Sequence, residues 1–232
     1  MGQMNVEADP RRFNWLGATS LPARVCVRWV TAPVKTPADL FTQEFIVGGA
    51  GAGSSLSILP TVFNHVLGTR FRIIQGYKGT TDTVLAMERG EVQGACASYG
   101  QFRIYEQLIR DGKLLYLLRA EETPIPEIPD VPSIFDYAKT SEQRQLMQFI
   151  FSSTEFGRPY VLPPDVPKDR VETMRKAFAE ALQDPALIAE AARMKMDMTY
   201  RQPDRLEQLV ASLYSTTPAM IETVKKLVPN LQ

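Results

Sequence analysis

The chain has 232 residues, 44% hydrophobic and 22% charged, enough for one sizeable core or two small ones. Its 26 basic and 26 acidic side chains cancel, and no block of like charge stands out, which argues against a nucleic-acid or anionic-membrane surface as its main business. No apolar run has the length of a membrane span, and a single histidine, His65, with no Cys/His cluster argues against a zinc site.

In chain order, the opening MGQMNVEADPRRFNW lacks the charged-then-apolar pattern of an export signal. RVCVRWV (residues 24–30) alternates apolar and β-branched positions and reads as a strand. KTPADLF follows as a short helix, with Thr36 as N-cap and Pro37 at the first helical position. EFIVGG reads as a buried strand. Residues 54–67 read as a helix with Leu56, Leu59, Phe63, Val66 and Leu67 on one face, His65 on the outer face and Gly68 as terminator. FRIIQGY is a strand, TTDTVLAMERG a helix capped by Thr80 or Thr81, VQGACAS a strand, RIYEQLIRDG a helix and KLLYLL a strand. This series predicts an α/β sandwich on a largely parallel sheet, with ligands at the carboxyl ends of its strands.

The texture then changes. EETPIPEIPDVPS, with four prolines, reads as an extended surface loop, and its Glu121 and Glu122 as solvated carboxylates. Residues 142–151 are helical, and GRPYVLPPDVP is a strand entering a turn. From residue 168 onward the chain is nearly all helix. Val171, Met174, Phe178, Ala181 and Leu182 form one apolar face, and further helices start near Pro185, Pro203 and Pro218. RPYVL and MDMTY are the tail's two strand candidates, too few for a sheet of its own. Cys26 and Cys96 are expected as buried thiols acting as small hydrophobes, because a disulfide needs close Cα atoms that a sequence does not show.

VGGAGAGSS, at residues 47–55, is the stretch that carries chemistry. It lacks the third glycine of a dinucleotide fingerprint and the lysine of a nucleotide-triphosphate loop. A strand, a small-residue turn and serines at a helix start form an anion cradle of free amides, suited to a carboxylate or phosphate. The plain alternative is a tight turn whose glycines serve close packing. YKGTTDT repeats the grammar, and ACASYG is a third strand end with small and polar residues. Three such ends at one sheet edge make half of a binding cleft. Tyr77 is equally readable as a core aromatic with its hydroxyl at the rim, and Lys78 as a solvated lysine. No nucleophile, base and acid are grouped, so no catalytic residue, metal ligand or cofactor is expected.

The ordered set VGGAGAGSS, YKGTTDT, RGEVQGACAS, IPDVPSIFD and GRPYVLPPDVP resembles the Bug family, the extracytoplasmic solute receptors of tripartite tricarboxylate transporters. The resemblance covers nearly the whole chain. It implies a two-lobed, type II-like periplasmic-binding-protein clamshell without enzymatic activity. Such a protein is a periplasmic monomer that hands a small di- or tricarboxylate to membrane permease subunits. It implies ligand contacts at Gly51, Ala52, Gly53, Ser54 and Ser55, at Tyr77, Lys78 and Gly79, and at Ser98 and Tyr99. Residues 34–152 correspond to an intact second lobe. Residues 1–33 and 153–232 correspond to a first lobe lacking its opening strands and ligand turn, which implies exposed apolar helix faces and weak carboxylate binding by this chain alone. Taken literally, a start without an export signal is cytoplasmic, and a cytosolic carboxylate sensor is the alternative function. An enzyme acting on an acyl or phosphorylated substrate is a third reading.

Overall fold

The computed structural model describes residues 8–20, 23–194, 196 and 198–227. The strands are β1 (Asn14–Ala18), β2 (Arg24–Trp29), β3 (Phe45–Gly49), β4 (Phe71–Gln75), β5 (Gly94–Ser98), β6 (Leu114–Arg119) and β7 (Pro159–Leu162). The α-helices are α1 (Ser55–Leu67), α2 (Thr80–Glu88), α3 (Tyr99–Arg103), α4 (Glu106–Arg110), α5 (Ser141–Ser152), α6 (Lys168–Ala181), α7 (Pro185–Arg193), α8 (Pro203–Tyr214) and α9 (Pro218–Leu227). The chain divides into two compact units, Met1–Pro22 with Phe149–Ile221, and Ala23–Gln148 with Glu222–Gln232.

The second unit is built on a five-stranded sheet in the order β4-β3-β5-β2-β6. β3 runs parallel to β4 and β5, whereas β2 runs antiparallel to both of its neighbours, β5 and β6. Four strands therefore share one direction and β2 alone is reversed. Alternation in RVCVRWV fixes which side chains share a face but says nothing of direction. The same pairing corrects the expected division after residue 33. β2 completes its ladder on both sides within this sheet, so the boundary falls at Pro22/Ala23.

Reversal of β2 also sets Cys26 directly opposite Cys96 on β5. Their Cα atoms lie 4.0 Å apart and the sulfurs form a disulfide, both residues being fully buried. The expectation of two free thiols is corrected accordingly.

Helix α1 packs on β3, β4 and β5, and α2 on β3 and β5. All five residues expected on the inner face of α1 are buried, His65 is exposed, and Gly68 ends the helix in the left-handed conformation at φ 80°. The segment after Thr36 is a 3-10 helix (Pro37–Phe41), its start tied by the Asp39 carboxylate accepting the amides of Lys35 and Thr36. The helix expected over RIYEQLIRDG breaks between α3 and α4. A core cluster gathers Val25, Val27, Leu56, Val84, Met87 and Phe102. Gly94 is where β5 has no room for a side chain. A Cβ there would lie 2.3 Å from the Phe45 ring and 2.4 Å from the Val27 carbonyl oxygen. Because one obstacle is backbone, Gly94→Ala should cost about 3 kcal/mol. Urea unfolding measures this, and an unchanged midpoint would refute the packing.

The first unit holds the antiparallel pair β1–β7, with α6 and α8 packed on β1. Its core is Trp15, Ala18, Leu206, Leu209 and Val210, with Phe13 and Phe156 alongside. β1 lies where no strand was expected. MDMTY, expected as a strand, forms none among its described residues. The tail instead makes a single bridge next to it, where Arg201 and Ala18 exchange amide–carbonyl bonds of 3.0 Å. Of the apolar face expected on α6 only Val171 is buried, and Met174 is 46% exposed. Leu187 and Ile188 on α7 and Tyr160 and Val161 on β7 are exposed as well.

Candidate functional site

The carboxyl ends of β3, β4 and β5 lie at one edge of the five-stranded sheet, as their parallel registers require. The glycines leaving β3 divide by role. A Cβ on Gly48 would sit 2.5 Å from Thr83 on α2, and one on Gly49 within 2.8 Å of Gln75, Ile73 and Ser57, so these two serve close packing. Gly51, at φ 90°, makes the turn, and a Cβ on Gly51 or Gly53 would meet nothing within 4 Å. Gly51, Ala52 and Gly53 are exposed. The close-packing reading of the glycine run therefore holds for Gly48 and Gly49, and close packing does not account for Gly51 or Gly53.

Ser54 is the N-cap of α1, its carbonyl accepting the amides of Ser57 and Ile58. Its hydroxyl donates to the Gly51 carbonyl at 3.0 Å, which tightens the turn. The Gly51 amide donates to Gln75 Oε1 at 3.1 Å. Among the described residues no acceptor faces the amides of Ala52, Gly53, Ser55 and Leu56. They surround the positive end of a 13-residue helix, the arrangement that suits an oxyanion.

At the end of β4, the Tyr77 amide donates to the Gly49 carbonyl, tying the two turns together. The Tyr77 ring packs against the core cluster and its hydroxyl donates to Glu91 at 3.4 Å. Burial, and then the Glu91 carboxylate, push that phenol's pKa upward. The Tyr77 side chain thus takes the core role, and its backbone stays at the edge. Lys78 is exposed, with its amide donated to Asp82. Gly79, not Thr80 or Thr81, is the N-cap of α2, because Asp82 reaches back to the Lys78 amide and starts the helix one residue early. Thr80 donates its hydroxyl to Gln101 at 3.1 Å.

At the end of β5, Ser98 is the N-cap of α3. The Tyr99 amide donates to the Ala23 carbonyl at 2.6 Å, and the ring lies 5.7 Å from that of Tyr116. Burial first, then Glu127, raises the Tyr99 pKa.

Two groups at this edge escaped the sequence reading. The reversed strand sets Arg24 opposite Ser98, where its backbone amide and Nε both donate to Glu121 Oε1 at 3.1 and 3.0 Å. Glu121 is therefore a partner of a buried cation. Glu122 accepts from Arg144 and, at 2.8 Å, from Gln148. Glu121 is thereby corrected from a solvated carboxylate, whereas Glu122 is exposed as expected and forms a surface pair. Arg119, at the end of β6, donates to the carbonyls of Glu122, Thr123 and Val131 and so fixes the proline-rich segment in place. The other missed group is Gln75, whose alternation in FRIIQGY marks a strand position and nothing more.

Residues 20–225 match the family model described as "Tripartite tricarboxylate transporter family receptor". No curated protein matches by sequence. Among solved structures, the chain is similar to a TctC solute-binding protein from Polaromonas without ligand, at 17% identity and TM-score 0.69, covering 94% of this chain and 72% of that one. It is similar to an R. palustris protein solved with adipate, at 16% identity and TM-score 0.61, covering 96% and 71%. It is also similar to MatC from Rhodopseudomonas palustris with bound malate, at 17% identity and TM-score 0.58, covering 97% and 73%. The fold is that of these α/β periplasmic binding proteins.

Proposed function

From the premise that this chain belongs to the tripartite tricarboxylate transporter receptor family, we propose that it is a periplasmic solute-binding protein for a small di- or tricarboxylate, which it delivers to membrane permease subunits. The observation that carries this reading is the set of unpartnered amides in the Gly51–Leu56 turn at the start of α1. Gly79 and the start of α2 stand at the same sheet edge. Amides can only donate, and a carboxylate can only accept. Adipate and malate, bound by two of the solved relatives, are ligands of that class. Membership in a family of transport receptors favours binding without turnover. The buried Cys26–Cys96 disulfide favours an oxidising compartment over the cytosolic sensor.

A thermal-shift series with succinate, malate, adipate and citrate, with amino acids and phosphate as controls, tests this. A ligand that binds only the folded state at 100 times its Kd adds about 2.7 kcal/mol of stability. A raised Tm with at least one di- or tricarboxylate is the expected result. No shift across the series, or a shift with phosphate alone, would overturn the proposal.

A further inference from the structure

We propose that Gln75 is a ligand-contacting specificity residue, whose side-chain amide supplies two N–H donors to the bound carboxylate; this rests on reading the β3–β4–β5 edge as a carboxylate site. Gln75 is the last residue of β4 and stands opposite Gly49 in the parallel register. Its Oε1 accepts the Gly51 amide at 3.1 Å and the Ser57 hydroxyl at 3.2 Å. Glycine at 49 leaves the space, since a Cβ there would lie 2.7 Å from Oε1 and 2.8 Å from the Ser57 hydroxyl.

A backbone amide has no acceptor capacity, so the atom facing Gly51 N–H must be the amide oxygen. The orientation of the side chain follows from that bond. With the oxygen clamped from two sides, the rigid amide plane turns its NH2 group away from the turn's own hydrogen bonds. No acceptor for that group exists among the described residues, and Gln75 is exposed. The NH2 group is therefore left as an additional donor at the sheet edge that carries the free amides of Ala52 and Gly53. It favours a ligand that only accepts, and it leaves an ammonium group without a partner.

The test is Gln75→Glu beside Gln75→Met, with malate as probe in isothermal titration and Tm as the control for folding. Glutamate keeps an acceptor oxygen for Gly51 and Ser57 and exchanges the NH2 group for a second, charged oxygen. The expected result is a Tm within about two degrees of wild type and at least tenfold weaker malate binding, a loss of about 1.4 kcal/mol. Methionine removes both functions and should lower both Tm and affinity. Wild-type affinity in Gln75→Glu would overturn the role of Gln75 while leaving the carboxylate site intact. A Tm loss in Gln75→Glu equal to that of Gln75→Met would overturn the assigned orientation. If the wild-type protein binds neither malate nor any other carboxylate of the series, the carboxylate reading itself fails and the role of Gln75 falls with it.

Discussion

The Cys26→Ala/Cys96→Ala protein should unfold about 4 kcal/mol more readily than the oxidised wild type. The bond closes a loop with a sequence separation of 70 residues, and a cross-link of that span removes much of the freedom of the unfolded chain. Both residues are completely buried, on paired strands far apart in the sequence, so solvent has little access to the bond. Urea unfolding gives the difference directly, and the variant should also show a steeper dependence on urea, because its unfolded state expands further. Thiol titration of the unreduced protein in denaturant is the companion measurement. It should find no free thiol before reduction and two afterwards. Equal unfolding midpoints, or two free thiols before reduction, would remove the bond from the account.

Gly53→Asp should abolish carboxylate binding while leaving the protein slightly more stable. Gly53 lies outside the left-handed region and a Cβ there meets nothing within 4 Å, so the side chain has room. It would stand just before the start of α1, where a negative charge is worth about 0.3–1 kcal/mol of helix stabilisation. The same charge would occupy the space in which a ligand carboxylate must sit. Two like charges at about 4 Å repel by about 4 kcal/mol at the effective dielectric of a protein surface. Affinity for malate should fall at least tenfold, and the loss should shrink as salt is added. Raised Tm together with lost binding is a pattern that a misfolded variant would not produce. Retained affinity would place the ligand elsewhere than the Gly51–Leu56 turn.

Much of the five-stranded unit was legible in the sequence. Alternation marked β2, short apolar runs bounded by turn residues marked β3 through β6, the 3.6-residue spacing of Leu56, Leu59, Phe63 and Val66 marked α1, and Gly68 marked its end. Those signals are local, and local signals are what a single sequence carries. The direction of β2 was not legible, because a strand's alternation is the same read either way. The disulfide and the Arg24–Glu121 pair both depend on that direction, so one unreadable feature accounts for two corrections. β1 and the bridge from Ala18 to Arg201 were missed for a related reason. They join segments from opposite ends of the chain, and neither alternates strongly enough to announce itself. At the site, the turn was found from its small residues. Gln75 was passed over because its role comes from its neighbour Gly49 across the sheet.

The placement of β2 also governs the order of assembly. Residue 25 pairs with Ala97 on one side and with Arg119 on the other, so a strand made early is among the last to be seated. Pairings so distant in sequence are slow to form, because loop closure must precede any gain from the ladder. Until β6 is available, Arg24–Trp29 has only one of its two final neighbours at most. Cys26 and Cys96 face each other across the β2–β5 pairing, so the covalent bond holds that long-range pairing in place once it has formed. With only two cysteines in the chain, no rival pairing within it exists to trap an unfinished sheet.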